Sequence, residues 1–433
     1  MKAAFLTLGC KVNFYETEKI MEQFRQFGFE IVDFKEKADV YVVNTCTVTN
    51  MADRKSRQMI RRAKKLNPES FVVAAGCYVE SGGDAMKEDP VIDAAFSNKE
   101  KMDIARQVVH RLGMVQRTTA TEQMGKIFSR ERTRAYLKIQ DGCNQFCSYC
   151  IIPYVRGKGK LVSMPQEEVV SQVGKLAAEG YKEVVLTGIH LSSYGVDESD
   201  ARGFVRQKGE PLLSVIRKAA RTDGIRRIRL GSLEPRIISE EFLEKLIQVP
   251  EICPHFHLSL QSGCDTVLKR MNRHYTSVEY REKVEMIRRY FDKPAITTDV
   301  IVGFPGETEY EFEQTRAFLQ EIKLADIHVF KYSPRSGTRA AAMTGQVSPE
   351  LKNKRSDVLI ADTEIYRRRY GENFLGKMES VLFEETVVES GKTYLSGHTG
   401  RYVKVGVLTQ EAQEKGYLEN EIYDIQVQNI LSK

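Results

Sequence analysis

The segment Asp141-Gly-Cys-Asn-Gln-Phe-Cys-Ser-Tyr-Cys150 places Cys143, Cys147 and Cys150 on one loop, directly after a strand-like apolar run. This spacing lets three thiolates face a single metal ion or cluster, and it leaves one coordination position open. A structural zinc site normally closes with a fourth Cys or His, and the next histidine is as far away as His190. The pattern favours an iron–sulfur cluster, with zinc as the alternative.

Around this loop, strand-like runs alternate with helix-length segments. The runs are Tyr136–Ile139, Glu183–Leu186, Arg227–Leu230, Phe256–Leu260, Thr298–Val302 and Ile327–Tyr332. Six β/α units predict an open or complete parallel barrel. Sites in such barrels lie at the carboxyl ends of the strands, and the cysteine loop follows the first of them.

The residues before the barrel have a β/α rhythm of their own. Apolar runs at Ala3–Leu8, Val40–Val43 and Phe71–Ala75 alternate with amphipathic segments at Tyr15–Phe27 and Ala52–Leu66. This order predicts an N-terminal α/β domain with a parallel sheet. The rhythm then gives way to polar residues, which are typical of a linker.

Three more cysteines lie in this first domain, far apart in sequence. Cys10, Cys46 and Cys77 each come at or just past the end of an apolar strand candidate. Because the carboxyl ends of parallel strands share one edge of the sheet, we expect the three thiols to converge on one ligand. Gly9 and Gly76 would let the backbone approach a bulky ligand closely. The alternative is three buried core cysteines.

The last residues change character again. Short Val-rich stretches with glycine breaks, at Glu379–Phe383, Tyr402–Val407 and Ile422–Val427, predict a small β-barrel. Residues 371–433 carry six basic and ten acidic side chains.

Composition excludes several classes of protein. The 433 residues are 42% hydrophobic and 29% charged, which fits a globular chain of several domains and excludes collagen, coiled coil and mucin-like sequences. The net charge of +6 permits a nucleic-acid partner without requiring one. No apolar run approaches the roughly 20 residues that span a bilayer, so we expect no membrane association. Without an export signal, we expect a cytoplasmic protein whose cysteines are reduced.

The cysteine loop resembles that of the radical S-adenosylmethionine (SAM) enzymes, and the three upstream cysteines resemble their methylthiotransferase branch. Further matching stretches are Leu186–Gly188, Gly231–Pro235, Leu258–Gly263 and Asp299–Thr308. The C-terminal segment is similar to the TRAM domain, an RNA-binding module found on such enzymes. The resemblance implies a methylthiotransferase domain at 1–120, a linker at 121–134, a radical SAM partial (β/α)6 barrel at 135–366 and a TRAM barrel at 371–433.

The resemblance also implies the cofactors. Cys143, Cys147 and Cys150 would hold a 4Fe-4S cluster that binds SAM, and Cys10, Cys46 and Cys77 a second, auxiliary 4Fe-4S cluster that carries the transferred sulfur. SAM would serve as methyl donor and as the source of a 5′-deoxyadenosyl radical. The candidate SAM contacts are Tyr149, Gly188, Ser232, Glu234 and Gln261. No catalytic residue beyond the cluster ligands is identified.

The stretch Leu8-Gly-Cys-Lys-Val-Asn13 resembles the MtaB type within this branch. That type methylthiolates C2 of N6-threonylcarbamoyladenosine (t6A) at position 37 of tRNA, beside the anticodon. The alternatives with the same chemistry are isopentenyladenosine of tRNA, the MiaB type, and an aspartate of a ribosomal protein, the RimO type. An alternative from another class is a non-catalytic, zinc-stabilised RNA-binding protein. The enzyme would also need an electron donor and a sulfur source.

A basic helix is the main candidate for binding the tRNA anticodon stem-loop. Residues 54–65 hold seven basic and no acidic side chains, enough to neutralise several phosphates, although a solvated helix face is the ordinary alternative. Because the C-terminal domain is acidic, we expect it to contribute selected side chains only. The candidates are Arg54, Lys55, Arg57, Arg61, Arg62, Lys392, Arg401 and Lys404.

Three other features of the sequence are weaker indications of a functional site. Gly371–Lys377 nearly matches the sequence pattern of a phosphate-binding loop, but Met378 stands where that pattern requires the hydroxyl of a Ser or Thr. His255, His257 and His274, scattered around the fourth barrel strand, are interpreted as packing or surface residues. Cys253 and Cys264 are interpreted as ordinary thiols without a role in the chemistry.

Overall fold

The computed structural model describes residues 1–86, 88–114, 133–197 and 200–432. The predicted domain boundary at residue 120 lies outside the described residues. So does the predicted linker 121–134, except for its last two residues, and Arg134 already begins a strand.

The N-terminal domain is a five-stranded parallel sheet with helices on both faces. Its elements are β1 (Lys2–Thr7), α1 (Lys11–Gln26), β2 (Glu30–Val32), β3 (Val40–Thr45), α2 (Asn50–Leu66), β4 (Phe71–Gly76), α3 (Cys77–Gly82), β5 (Ala94–Phe96) and α4 (Ile104–Arg111). The strand order is β2-β1-β3-β4-β5. All six residues of the central strand β3 are buried, since apolar clusters cover both faces of the sheet.

The middle of the chain forms the β/α barrel that the sequence predicts. Its elements are β6 (Arg134–Asp141), α5 (Ile152–Val155), β7 (Val162–Ser163), α6 (Gln166–Ala178), β8 (Glu183–Gly188), α7 (Gly203–Arg206), α8 (Glu210–Ala220), β9 (Arg227–Leu230), α9 (Glu240–Leu246), β10 (His255–His257), α10 (Asp265–Arg270), α11 (Ser277–Tyr290), β11 (Ala295–Val302), α12 (Glu309–Ile322), β12 (Asp326–Lys331) and α13 (Pro349–Glu372).

Six of these strands run parallel in the order β6-β8-β9-β10-β11-β12. Strands β9 and β10 are joined by isolated bridges, and the Leu233 backbone N–H donates to the His257 carbonyl at 2.8 Å. The short β7 pairs antiparallel with the other edge of β6. Within the described residues β6 and β12 do not pair, so the barrel is open on that side.

Helix α1 of the N-terminal domain packs against β6 and β8 of the barrel. Its Tyr15 belongs to the apolar core of the barrel. The first turn of this helix, which directly follows Cys10, therefore faces the barrel.

The C-terminal domain, for which the sequence predicts a small all-β barrel, is a five-stranded antiparallel sheet. Its elements are β13 (Met378–Glu389), β14 (Lys392–Thr399), β15 (Lys404–Leu408), α14 (Thr409–Glu414), β16 (Ile422–Gln426) and β17 (Asn429–Ile430). The strand order is β16-β13-β14-β15-β17, and a small apolar core centres on Phe374, Phe383 and Val405.

Candidate functional site

Cys10, Cys46 and Cys77 lie at one edge of the N-terminal sheet. They follow β1, β3 and β4, which are neighbours in the sheet, and the register pairs Thr7 with Asn44 and Thr45 with Gly76. The three strands therefore end side by side, and the cysteines stand at their carboxyl ends, as predicted from the sequence. Cys46 and Cys77 are buried, whereas Cys10 is exposed.

Gly9 allows the chain to pass close to this trio. Its φ is +102°, and a Cβ built on it would lie 2.8 Å from the Cβ and 2.9 Å from the Sγ of Cys46. Both the backbone angle and the lack of space require glycine at this position.

The surroundings of the trio favour the neutral thiol. Burial raises the pKa of Cys46 to about 11, and the neighbouring Cys77 and Cys10 act in the same direction. A bound cation would reverse this preference, because a coordinating thiol is deprotonated outright. The amide of Asn98 donates to the Sγ of Cys77 at 3.6 Å and to the carbonyl of Val155 at 2.8 Å. Asn98 therefore connects this trio to the segment that follows Cys150.

The second trio lies on the loop after β6, which is fixed by backbone contacts on both sides. The Ser148 hydroxyl donates to the Arg270 carbonyl at 2.6 Å, and the Ala340 N–H donates to the Ser148 carbonyl at 2.7 Å. The side chain of Asn272 donates to the Phe146 carbonyl at 3.0 Å. The loop is thus held between the ends of α10 and the segment after β12.

Arg273 is the charged partner of this loop. Its guanidinium donates to the Sγ of Cys147 at 3.1 Å and to the hydroxyl of Tyr275 at 2.9 Å. Burial raises the pKa of Cys143 to about 12 and that of Cys150 further still. As at the first trio, these thiols become good ligands only when a cation binds between them.

Neither trio has the dimensions of a site for one zinc ion. Among the residues described, only His257, Asp299 and His328 bring three such ligand atoms within 4.8 Å of one another. Four sulfurs bound to zinc at about 2.3 Å lie only about 3.8 Å apart. The wider spacing of the cysteines, together with an all-thiolate donor set, fits a larger iron–sulfur cluster.

The predicted SAM contacts stand around the mouth of the barrel. Gly188 ends β8, and a Cβ there would lie 2.9 Å from Gln140. Ser232 is exposed just after β9. Glu234 is buried, and its carboxylate accepts from the Arg236 guanidinium at 2.6 Å.

Gln261 and Tyr149 complete that predicted set. Gln261 has a φ of +75°. Its N–H donates to the Asp299 carbonyl and its carbonyl accepts from the Ile301 N–H, and both partners belong to β11. The ring of Tyr149 packs against the apolar cluster that contains Phe304 and Tyr332, and burial raises its pKa well above the ordinary value.

A buried ionic network lies between the two trios. Glu16 on α1 contacts Lys101 at 2.5 Å, Arg156 at 2.9 Å and Lys138 at 2.9 Å. Burial would raise the pKa of Glu16, but the three cations outweigh it and hold the pKa well below its usual range. Arg156, six residues after Cys150, thereby joins the barrel to the N-terminal domain.

The C-terminal domain closes the opposite end of the barrel. The ring of Tyr402 lies 4.8 Å from the guanidinium of Arg134 and 4.9 Å from that of Arg229, and it stacks on His398. Behind it the fully buried Glu183 accepts from Arg229 at 2.6 Å, which lowers the pKa of the carboxyl to about 2 against the effect of burial.

Lys11 enters the interior between these two ends. Its charged neighbours come from four barrel strands: Arg134 of β6, Glu183 of β8, Arg229 of β9 and Asp299 of β11. Lys11 is an exposed residue. The surrounding strands nevertheless partly remove its ammonium group from water, and this burial, together with the two guanidinium groups, lowers the pKa of Lys11 to about 8.

The candidate RNA contacts differ in how free they are. Arg54, Lys55, Arg57, Arg61 and Arg62 are exposed along α2, which begins beside the loop after β12, where Arg335 pairs with Asp53 at 2.7 Å. In the C-terminal domain Lys392 is exposed and Lys404 lies 3.9 Å from Glu385. Arg401 is held by Glu379 at 3.0 Å and by the Asp292 carbonyl, which joins the domain to the barrel.

Several residues of the site lie outside any local sequence motif. Arg273, Glu16 and Lys101 stand in no recognised pattern, and their partners lie up to 140 residues away. Glu16 belongs to the helix that follows a candidate ligand, and Lys11 stands in the Leu8–Asn13 stretch quoted above.

Comparison with known families divides the chain as the fold does. A model described as uncharacterized protein family UPF0004 matches residues 2–97, and a model of the radical SAM superfamily matches residues 137–319. The two matches cover the N-terminal sheet and most of the barrel.

Curated proteins are similar to this chain over nearly its whole length. The threonylcarbamoyladenosine tRNA methylthiotransferase MtaB of Bacillus subtilis is 40% identical over 93% of this chain and 89% of its own. The MtaB of Thermotoga maritima is 33% identical over 92% and 89%. The tRNA-2-methylthio-N(6)-dimethylallyladenosine synthase of Syntrophotalea carbinolica is 34% identical over 92% of each chain.

Solved structures confirm the fold. The radical S-adenosylmethionine methyltransferase TsrM of Kitasatospora setae superposes with a TM-score of 0.54 at 14% identity, over 78% of this chain and 77% of that one.

No helix in the described ranges has the length and apolar character needed to cross a membrane.

Proposed function

This chain belongs to the radical SAM methylthiotransferases of the MtaB type, and we propose that its two cysteine trios hold two separate 4Fe-4S clusters. It is a transferase that uses SAM and an iron–sulfur cluster to methylthiolate threonylcarbamoyladenosine in tRNA. The observation that carries the two-cluster proposal is the convergence of Cys10, Cys46 and Cys77 at the ends of adjacent strands.

The resemblance to the family implies a different role for each trio. When bound, the cluster of Cys143, Cys147 and Cys150 would supply the electron that cleaves SAM, and that of Cys10, Cys46 and Cys77 the sulfur to be transferred. Arg273 would hold Cys147 in place and offset the negative charge of the thiolates. Tyr149, Gly188, Ser232, Glu234 and Gln261 would line the SAM site between the trios.

The protein's own residues would also exclude water and competing hydrogen donors. Helix α1 packs against β6 and β8, and Tyr402 lies at the end of the barrel away from the cysteines. An enclosed interior protects a reactive radical at the time of transfer. The target adenosine at position 37 would enter unstacked from the anticodon loop, presenting C2.

The tRNA would be held mainly by helix α2. Its exposed basic residues start close to the loop of Cys46, so phosphates of the anticodon stem-loop could follow the helix while the base enters the barrel. Lys392 and Lys404 would add contacts from the C-terminal domain.

The proposed domains are 1–120, 135–366 and 371–433, and a linker at 121–134 joins the first two. Turnover would further require an electron donor and a sulfur source.

Substitution of one cysteine from each trio tests the proposal. Cys46→Ala should still form 5′-deoxyadenosine from SAM but give no methylthio product, while Cys147→Ala should give neither. Cys253→Ala, a buried thiol outside both trios, is the control. The measurement is anaerobic turnover with SAM, reductant and t6A-containing tRNA, followed by mass spectrometry of the nucleosides.

Equal methylthio product from the wild type and Cys46→Ala would defeat the two-cluster assignment. The iron content of the anaerobic protein, about eight atoms per chain if both clusters are present, gives a second check.

A further inference from the structure

Lys11 is a cation placed where a helix ordinarily disfavours one. It is the first residue of the 16-residue helix α1, whose first turn has no acidic side chain. The amino end of a helix carries partial positive charge, so a lysine there is electrostatically unfavourable. Its side chain also leaves the helix surface for the barrel interior, among charged groups of four strands.

The neighbours of Lys11 already have partners of their own. Glu183 is paired with Arg229 at 2.6 Å, and Asp299 lies 3.2 Å from both His257 and His328. Arg134 is paired with Glu384 at 3.1 Å. Within the described residues no carboxylate lies within salt-bridge distance of Lys11 itself. Lys11 is thus an exposed residue whose ammonium group, among the described residues, has no carboxylate partner and can accept an anionic ligand.

The substrates of the relatives differ in the property that such a group would sense. One set of relatives is named for threonylcarbamoyladenosine, whose N6 substituent ends in a carboxylate, and another for dimethylallyladenosine, whose substituent is a hydrocarbon. Both sets are similar to this chain over most of its length. A cation inside the barrel distinguishes the two by charge.

We propose that Lys11 binds the threonyl carboxylate of the substrate base and thereby selects t6A over adenosines with apolar N6 substituents. This inference rests on the proposed function and makes Lys11 a specificity-determining residue of the same site. The hydroxyl and carbamoyl groups of the substituent would then face the polar wall formed by Asp299 and the two histidines.

The position of Lys11 relative to Cys10 fits the geometry of the base. In adenine, C2 and the carbon bearing N6 both flank N1, so the reacting carbon and the N6 substituent share one edge. The two residues are consecutive, with Cα atoms about 3.8 Å apart. A base whose C2 faces the Cys10 trio therefore carries its N6 substituent to the side where the lysine stem can reach it.

The alternative anion receptors are less suitable. Arg229 is fully buried and bonded to Glu183 and to the Gly400 carbonyl. Arg134 lies against Tyr402 and Glu384. Recruiting either would break a buried ion pair, which is costly, whereas Lys11 needs only to exchange water for a carboxylate.

The test compares two RNAs on the full-length protein with its clusters loaded anaerobically. One anticodon stem-loop carries t6A, and the other carries the methyl ester of the same threonyl carboxylate, which differs mainly in charge. Affinity is measured by titration without reductant, and KM and kcat are measured by nucleoside mass spectrometry. A charge-assisted hydrogen bond corresponds to roughly a 10- to 100-fold preference for the acid.

The expected pattern is specific to Lys11. The wild type prefers the acid in both affinity and KM, Lys11→Gln treats acid and ester alike to within about threefold, and Lys11→Arg keeps most of the preference. Lys19→Gln, a lysine on the outer part of the same helix that contacts Gln172 and Glu22, keeps it fully. Lys11→Met replaces Lys11→Gln should the latter fail to load iron.

Two results would overturn the inference. Equal binding of acid and ester by the wild type would mean that the carboxylate is not sensed, and an undiminished acid preference in Lys11→Gln would assign it to another group. The proposed function fails in a different way, by giving no methylthio product from t6A RNA. The affinity comparison still decides the role of Lys11 in that case, because it requires no turnover.

Discussion

At the scale of single residues, Gly9 controls whether the first cysteine trio can form. The space beside it is taken by Cys46, whose Cβ and Sγ lie within 2.9 Å of where an alanine Cβ would be. Contacts this short force one side to move, and the φ of +102° adds strain for any residue with a Cβ.

Gly9→Ala should therefore lose the auxiliary cluster and keep the other. We expect about half the iron of the wild type, no methylthio product and retained SAM cleavage. Gly28→Ala is the matched control, because Gly28 also has a positive φ of +82° but has nothing within 4 Å of an added Cβ. Full iron content in Gly9→Ala would mean that the strand ends can separate without losing the site.

The six candidate cluster ligands could be predicted from the sequence because each has a local signal. Cys143, Cys147 and Cys150 share one loop, and Cys10, Cys46 and Cys77 each follow an apolar run that reads as a strand. The polar residues around them could not be predicted. Arg273 contacts Cys147 across 126 residues, and Glu16 contacts Arg156 across 140, so these contacts exist only after the domains dock.

At the scale of elements, the exposed face of α2 should govern binding of tRNA. Arg61 and Arg62 are exposed, whereas the opposite face, with Ile60 and Ala63, packs on the sheet. This amphipathic pattern leaves the basic side chains free for phosphates.

Reversing these two charges, Arg61→Glu and Arg62→Glu, should weaken tRNA binding and flatten its salt dependence. Each lost phosphate contact lowers the slope of log K against log salt by about 0.7 to 0.9. Lys218→Glu with Arg221→Glu, the same charge change at the end of α8 on the outside of the barrel, should have much less effect. An unchanged slope in the α2 variant, measured by filter binding at several salt concentrations, would exclude this helix as the RNA contact.

Strands that coincide with apolar runs were predicted from the sequence, whereas very short or largely polar strands were not. The six barrel strands and β1, β3 and β4 lie where the apolar runs predict them. No run was predicted at the two- and three-residue strands β2, β5, β7 and β17, which are too short to show a period, nor at the eight-residue β14, whose sequence is largely polar. The basic cluster 367–369 belongs to α13, where Arg367 pairs with Asp326 of β12 at 2.9 Å.

At the scale of the whole molecule, the barrel is closed by the other two domains. The C-terminal domain supplies Tyr402 at one end, and the N-terminal domain packs α1 against β6 and β8. Each contact includes buried ionic groups, which require a defined geometry between the domains. Glu16 is the centre of the second contact, since its carboxylate is shared by cations from both domains.

Glu16→Gln should loosen this junction. Removing the charge leaves Lys101 and Arg156, both fully buried, without their counterion, and breaking a buried pair costs about 3 to 5 kcal/mol. We expect the first thermal unfolding transition to fall by on the order of 10 °C in calorimetry. Glu22→Gln on the same helix removes only a partly exposed pair with Lys19 at 3.7 Å, so it should shift the transition by no more than about 3 °C. A variant as stable as the wild type would show that the apolar contacts of α1 dock the domains without this network.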